Sequence, residues 1–412
     1  MEAHPRSGAF VTTSTLGEHV RAFVPHALPP SPPLALTEDD RELIDRANRA
    51  LGRLDALGRM LPSTQLFVYF YVRKEAVLSS QIEGTQSSLS DLLLHEQEHT
   101  PGGLDSDVRV VSRYVDAIEH GLGRLRGNFP LSLRLIREMH ERLLSGGRGG
   151  EKQPGEFRTS QNWIGGTRPG NAAFVPPPPE RLGQCLDAFE KFLHGQPVRV
   201  SILLRAALAH VQFETIHPFL DGNGRLGRLL VPLLLCSEGV LEQPTLYLSL
   251  FFKTHRSTYY ARLQAVREEG AWEDWIRFFM EGVAVTAEGA VTSARKILDL
   301  FDADQAQIHG LGRNANAALR VHDAMKRRPI ATIADLAGAT SLAVPTVTKA
   351  LLALTALGCV RENTGRKRGR IFVYGPYLDL LNEGTTMPEV NDAGRATSPK
   401  ASAFEGQTGS EP

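Results

Sequence analysis

His217, Asp221, Arg225 and Arg228 fall within twelve residues, His-Pro-Phe-Leu-Asp-Gly-Asn-Gly-Arg-Leu-Gly-Arg, at positions 217–228. They supply one proton acceptor, one hard-cation ligand and two guanidiniums, interleaved with Gly222, Gly224 and Gly227. That set suits the transfer of a phosphoryl-type group from a nucleotide. Glycine lets the backbone turn successive N–H groups inward onto an anion. The apolar run that opens at Arg225 is expected to be a helix, whose N-terminal dipole and unpaired N–H groups face the same anion. Each guanidinium can grip phosphate oxygens through two donors. This is more positive character than a nucleotide monophosphate needs, and the stretch reads as a triphosphate site.

Two other motifs overlap the same residues. Gly222, Gly224 and Gly227 have the G-x-G-x-x-G spacing of a dinucleotide fingerprint, which requires a preceding strand. Residues 200–213, Val-Ser-Ile-Leu-Leu-Arg-Ala-Ala-Leu-Ala-His-Val-Gln-Phe, are instead helical in character. Gly222 to Gly227 also has P-loop spacing, but Arg228 and Leu229 stand where Lys and Ser or Thr are required. Both readings fail.

The full segment resembles the signature of the Fic family, His-Pro-Phe-x-Asp-Gly-Asn-Gly-Arg-x-Gly-Arg, with all ten fixed positions present. The resemblance implies a mainly α fold, a Fic-type helical bundle with a β-hairpin flap. It also implies protein adenylyltransferase activity (AMPylation): AMP moves from ATP to a Tyr, Thr or Ser hydroxyl of a target protein, or of the enzyme itself, and pyrophosphate leaves. His217, with a reference pKa near 6.5, is then the general base. Asp221 holds Mg²⁺, which favours one or two carboxylates plus phosphate oxygens. Asn223 and the backbone from Gly222 to Arg225 cradle the α- and β-phosphates, and the nucleotide-binding run continues through Leu226 and Gly227. By the same resemblance Arg225 takes the β-phosphate and Arg228 the γ-phosphate.

Residues 79–84, Ser-Ser-Gln-Ile-Glu-Gly, resemble the inhibitory helix of many Fic proteins through Ser79 and Glu83. Gly84 is a natural residue to follow a helix end, which puts Glu83 in the last turn. A carboxylate there opposes the helix dipole by ~0.3–1 kcal/mol. A compensating cation explains its placement, and Arg228 is the obvious one. Such a pair blocks the γ-phosphate subsite, and the same carboxylate could help water remove AMP in a reverse reaction.

The elements that must position these groups are legible to different degrees. Residues 1–36 carry Pro25, Pro29, Pro30, Pro32 and Pro33 and read as an extended arm. Residues 37–110 read as an N-terminal helical region. Thr37 is the expected N-cap of its first helix, with acids at 38–40 and apolar residues at Leu43, Ala47, Ala50, Leu51, Leu54 and Leu57. A second helix is expected from Gln65 towards Gln81. The catalytic domain is expected over 111–285, with a helix at 131–144. Within it, residues 153–179 read as a β-hairpin. In the family this is the flap that pairs with the target backbone, here through Asn162, Trp163, Ile164 and Gly165. Tyr259 and Tyr260 match a Tyr-Tyr helix that lines the adenosine pocket in relatives, but Val266 and Arg267 stand near the place of the usual base-contacting Asn.

A long helix from Trp272 to about Ile308 includes a linker at 286–311. Residues 312–383 follow the order helix, short strand, helix, turn, helix, hairpin, which resembles a winged helix–turn–helix. There Thr332 caps a helix with Asp335 at its third position, and the hairpin tip is Gly365-Arg-Lys-Arg-Gly-Arg370. Residues 384–412 read as a disordered tail.

With 46 basic and 46 acidic side chains in 412 residues, no global field directs the chain to nucleic acid or membrane. There is no transmembrane run and no secretory leader pattern. Cys185, Cys236 and Cys359 form neither a disulfide framework nor a zinc cluster, and a cytoplasmic location is expected. Two rivals stand beside an autoinhibited adenylyltransferase. One is a nucleotide-sensing DNA-binding regulator using Thr346, Thr348, Lys349 and the basic tip, with a protein as the other partner for that module. The other is a Fic transferase using a different donor such as UTP. A homodimer is among the expected assemblies.

Overall fold

The computed structural model describes residues 4–60, 64–97, 106–146, 150–365 and 369–383. The expected tail and the Arg-Lys-Arg of the basic tip, 366–368, lie outside them. The chain begins with an antiparallel hairpin, β1 (Gly8–Thr15) and β2 (Glu18–Pro25), in full register from Gly8 opposite Pro25 to Thr15 opposite Glu18. This corrects the extended arm expected over 1–36. Leu16 and Gly17, both at positive φ, make the two-residue turn that suits the twist of a hairpin. The proline-rich run from Pro25 begins only where the second strand ends.

Helices then account for most of the fold: α1 (Glu38–Met60), α2 (Thr64–Ile82), α3 (Leu89–Gln97), α4 (Ser106–Arg126), α5 (Leu133–Leu144), α6 (Pro179–Leu193), α7 (Ile202–Ile216), α8 (Asn223–Ser237), α9 (Ser249–Thr254), α10 (Arg256–Glu269) and α11 (Trp272–His309). Thr37 caps α1 as expected: its hydroxyl accepts from the Asp40 N–H while Asp40 accepts from the Thr37 N–H. At the centre lie α7 and α8, side by side. From Leu203 to Ile216 nearly every side chain of α7 is buried, as in a helix that is apolar all round. Each such Leu, Ile or Phe contributes ~1.5–3 kcal/mol on burial. Trp275 on α11 donates its ring N–H to the Ala207 carbonyl, so the long helix is keyed to α7 by a polar bond inside the core. Because α11 runs unbroken from 272 to 309, the catalytic boundary expected at 285 falls in mid-helix.

After α11 come α12 (Ala315–Arg327), β3 (Ile330–Thr332), α13 (Ile333–Thr340), α14 (Val344–Ala356), β4 (Arg361–Glu362), β5 (Ile371–Val373) and α15 (Gly375–Asn382), with the antiparallel strand order β3-β5-β4. Thr332 and Asp335 form the anticipated capping box. This C-terminal unit packs on α2: the Phe70 and Tyr377 rings lie 5.6 Å apart, edge to face, and Lys74 Nζ donates to the Glu383 carbonyl at 2.5 Å. No single helix among the described residues is long and apolar enough to cross a membrane.

Candidate nucleotide-transfer site

His217 ends α7 in the left-handed conformation, φ 48° and ψ 61°. A non-glycine residue adopts this only when its surroundings impose it. Here Arg158 imposes it. Its buried guanidinium donates to the carbonyls of His217 at 2.9 Å, Ile216 at 3.4 Å, Pro177 at 2.5 Å and Ser160 at 3.2 Å. Burial pulls this guanidinium down to about 10, so it is still charged at neutral pH. Arg158→Met is therefore expected to destabilise the protein by about 2–3 kcal/mol, since several buried carbonyls lose their donor. A urea denaturation midpoint equal to wild type would contradict this role.

The His217 ring is held neutral. Burial pushes it down to about 3, with Arg158 and Arg267 repelling its protonated form. Its Nδ1 is buried without a hydrogen-bond partner.

The loop from 217 to 222 is fixed from below. Phe219 is fully buried and stacks on His140 at 3.7 Å between centroids and 12° between planes. His140 Nδ1 accepts from the Gly155 N–H at 2.9 Å, which leaves Nε2–H to donate to the Asp221 carbonyl at 3.0 Å. Asn162 donates to the Phe219 carbonyl at 3.0 Å. Neither His140 nor Arg158 was read from the sequence as part of this site, and both lie some sixty or more residues from the loop.

His140 and the fully buried His210 are pushed by burial to about 4 and about 3. Both values lie below the ~6.5 of an unfolded histidine. Their contribution is thus complete above that value and is lost as pH falls from it towards 4. Urea midpoints should drop between pH 7 and 4.5, and drop less in His140→Asn. An equal drop in the two proteins would remove His140 from the account.

Gly222, at φ +77°, makes the turn into α8. Asp221 Oδ1 accepts from the Gly222 N–H at 2.5 Å and lies 3.7 Å from Arg225. Its side chain is 37% exposed, open to a further ligand. Asn223 corrects an expectation. Its amide donates to the Phe219 carbonyl at 2.8 Å and accepts from the Phe219 N–H at 2.9 Å, so the side chain closes the loop and does not reach towards a phosphate. Leu226 and Gly227 also face away. The Leu226 side chain is buried in the core and its N–H donates to the Gly222 carbonyl, while Gly227 lies against Glu214 on α7.

Arg228 makes the contacts expected of it with Ser79 and Glu83. Its Nε donates to the Ser79 hydroxyl at 2.9 Å, and its Nη2 donates to the Ser79 carbonyl at 3.0 Å and to Glu83 Oε1 at 2.6 Å. Glu83 lies one residue beyond α2 and not in its last helical turn, because the helix tightens there into Glu83 N–H to Ser80 and Gly84 N–H to Gln81 bonds. Burial raises the Glu83 carboxyl, but Arg228 above all, with Arg225 and Arg256, holds it below the ordinary carboxylate range. A Cβ at position 224 would collide with Glu83 Oε1, so the carboxylate rests over the first turn of α8 on space that only Gly224 leaves.

The two tyrosines separate. Tyr259 is fully buried, its hydroxyl bonded to His210 Nε2 at 2.8 Å and its ring on Phe252 at 4.5 Å; it belongs to the core, not to a pocket wall. Tyr260 is half-buried, and its hydroxyl is pushed up by burial and by Glu83. Arg267 donates to the Glu214 carbonyl and Thr215 hydroxyl and lies over the Phe174 ring at 3.9 Å.

The expected flap is reduced to one antiparallel bridge, Ile164 with Phe174. Phe23 of β2 donates to the Val175 carbonyl, and Trp163 is buried with Val20, Ala22 and Val175. Trp163 therefore joins this segment to the N-terminal hairpin and has no free face. Gly165 turns the chain just after the bridge at φ 68°.

Residues 41–123 match the Fic/DOC family N-terminal region, and residues 130–235 match the Fic/DOC family. A protein adenylyltransferase Fic from Aedes aegypti is 36% identical over 152 residues, 37% of this chain and 27% of that protein. One of the same name from Culex quinquefasciatus is 30% identical over 257 residues, 58% of this chain and 45% of that protein. The chain thus spans less than half the length of these relatives. The crystal structure of a Fic family protein from Desulfovibrio desulfuricans G20 has a TM-score of 0.54, with 18% identity, 83% of this chain covered and 97% of the other, which shows a shared fold.

Proposed function

We propose that this chain, which belongs to the Fic/DOC family through residues 41–123 and 130–235, transfers AMP from ATP to a hydroxyl of a protein substrate and is restrained by Glu83. One observation carries the reading. A neutral imidazole on a strained, clamped loop leads into a helix N-terminus where two buried arginines converge, and a carboxylate already rests there as an anion would.

ATP binding requires the phosphates to take over what Glu83 now holds. The first-turn N–H groups of α8, Arg225 and Arg228 attract the triphosphate, with the γ-phosphate at Arg228. His217 accepts the proton of a Tyr, Thr or Ser hydroxyl. The oxygen forms a bond to the α-phosphorus, the α–β anhydride bond breaks, and pyrophosphate departs with the charge that the arginines stabilise.

Asp221 is the residue that would hold Mg²⁺. The described residues contain no cluster of three or more His, Cys, Asp or Glu, so the donor set is one open carboxylate, which fits an ion shared with phosphate oxygens. Bound there, the ion would neutralise phosphate charge. Tyr260 is the better adenosine neighbour of the pair, and the Ile164 backbone the better contact for a target strand.

The C-terminal unit supports the winged-helix reading by its order of elements. Val344 and Leu352 on α14 are 54% and 60% exposed and lie on one face with Thr348. An apolar face favours a protein partner over DNA, and salt-dependent binding of the full chain to duplex DNA would reverse that preference.

The test of function is intact mass after incubation with Mg²⁺ and ATP, UTP or GTP. A gain of one AMP with ATP alone is expected. A gain with UTP in preference to ATP changes the donor, and no gain with any of them in wild type or Glu83→Gly removes the transfer reading.

A further inference from the structure

Glu75 is a buried carboxylate on α2 that the transfer chemistry does not use. It lies one helical turn before Ser79 and two before Glu83, so all three share one side of the segment. Three donors converge on it. The Ser249 N–H reaches Oε2 at 3.2 Å, the Ser249 hydroxyl makes a short bond to Oε1, and the Tyr114 hydroxyl donates to Oε1 at 3.4 Å. Tyr114 also faces Ser79, the residue that receives Arg228. A second tie runs parallel to the first: one turn along α9, Lys253 Nζ donates to Gln81 Oε1 at 2.7 Å. Ser249 and Lys253 thus hold α2 at two points, either side of Ser79.

Something must hold α2 there. Its last turn contains no basic residue, and a carboxylate at the C-terminal end of a helix is repelled by the dipole. Glu83 is seated only while α2 keeps its rotation and height against Arg228. Burial raises the Glu75 carboxyl to about 7, and the Ser249 donors and Arg228 draw it back from further. A buried acid at such cost persists where its hydrogen bonds fix one arrangement among several.

We infer that Glu75 is a positioning residue for the brake: through Ser249 on α9 and Tyr114 on α4 it pins α2 in the register that seats Glu83 on Arg228. The inference rests on the reading of Glu83 as inhibitory. Loosening Glu75 should therefore raise transfer, whereas a merely structural residue would lower it when disturbed.

Self-labelling with Mg²⁺–ATP would be measured by intact mass for wild type, Glu75→Gln, Glu83→Gly and the double variant, with thermal midpoints recorded alongside. Glu75→Gln is expected to label about tenfold faster than wild type, the equivalent of ~1.4 kcal/mol, close to the lower end for one charge-assisted hydrogen bond. The double variant should label at the Glu83→Gly rate, because a carboxylate that is absent needs no seating. Ser249→Ala removes the hydroxyl donor to Glu75 from the opposite side while its backbone N–H remains, should accelerate wild type in the same direction, and decides the matter if Glu75→Gln does not fold. If Glu83→Gly is accelerated while Glu75→Gln and Ser249→Ala label no faster than wild type, Glu75 is structural and the inference fails alone. A further gain in the double variant over Glu83→Gly also overturns it. If Glu83→Gly itself gains nothing, the inhibitory reading falls and takes this inference with it.

Discussion

His217→Ala is expected to lower AMP transfer by ~10²- to 10⁴-fold, the usual loss when a general base is removed, with ATP affinity within a few-fold of wild type. The separation of rate from affinity follows from the geometry. The groups proposed to attract the triphosphate, Arg225, Arg228 and the first turn of α8, are fixed independently of the ring by Asp221, Ser79 and the loop beneath them. Alanine keeps the loop anchored, because Arg158 bonds the His217 carbonyl and not its side chain. The measurement is single-turnover labelling at saturating ATP in a Glu83→Gly background, with affinity taken from nucleotide titration. Loss of affinity equal to the loss of rate would make His217 a binding group.

The pH profile has a definite sign. The ring's value of about 3 lies below the ordinary 6.5 because burial and two arginines disfavour the imidazolium, so the free enzyme holds an unprotonated base throughout the neutral range. The kcat/KM profile should show no acid limb near 6.5 from this ring. A base so weak is poor at taking a proton, but an anionic triphosphate beside it counters Arg158 and Arg267 and raises its basicity once the substrate is present.

Much of the site was legible because its chemistry is local. Gly222 at positive φ, Asp221 beside Arg225 and the Thr332–Asp335 capping box each depend on residues within four positions. The pairing of Ser79 and Glu83 with Arg228 spans some 150 residues and was legible only through a family resemblance, since no periodicity links those positions. What sequence reasoning missed is tertiary in origin. Tyr259 and Tyr260 are identical neighbours, and only the packing of α10 against α7 sends one into the core beside His210. His140 and Arg158 have ordinary surroundings in sequence, and their function arises from the backbone atoms that the fold brings to them. Asn223 is expected at the phosphates through the family resemblance, but its amide matches the two backbone groups of Phe219. The N-terminal hairpin did carry a signal, alternation either side of a two-residue turn at Leu16–Gly17, which the later prolines outweighed.

Glu83→Gly is expected to raise self-labelling by about 10- to 100-fold, from the ~1.5–3 kcal/mol of a hydrogen bond between charged groups. The Glu83 side chain is a third exposed, which places the effect below that of a fully buried pair. The variant should also be less stable without nucleotide than wild type. Arg228 is almost fully buried, and without Glu83 the carboxylates left facing its charge are Glu75 and Glu214, both themselves raised to about 7 by burial. ATP supplies the missing anion, so its thermal stabilisation should be larger in Glu83→Gly than in wild type. The two readouts constrain each other: faster labelling without a larger nucleotide-induced shift would mean that Glu83 acts on the hydroxyl side of the reaction. Because the folded Glu83 carboxyl is depressed, its pairing is present above the ordinary carboxylate value and weakens only as pH falls through the lower folded one. On the proposed reading, titration of Glu83 itself therefore does not release the restraint near neutral pH, and a ligand or a movement of α2 does.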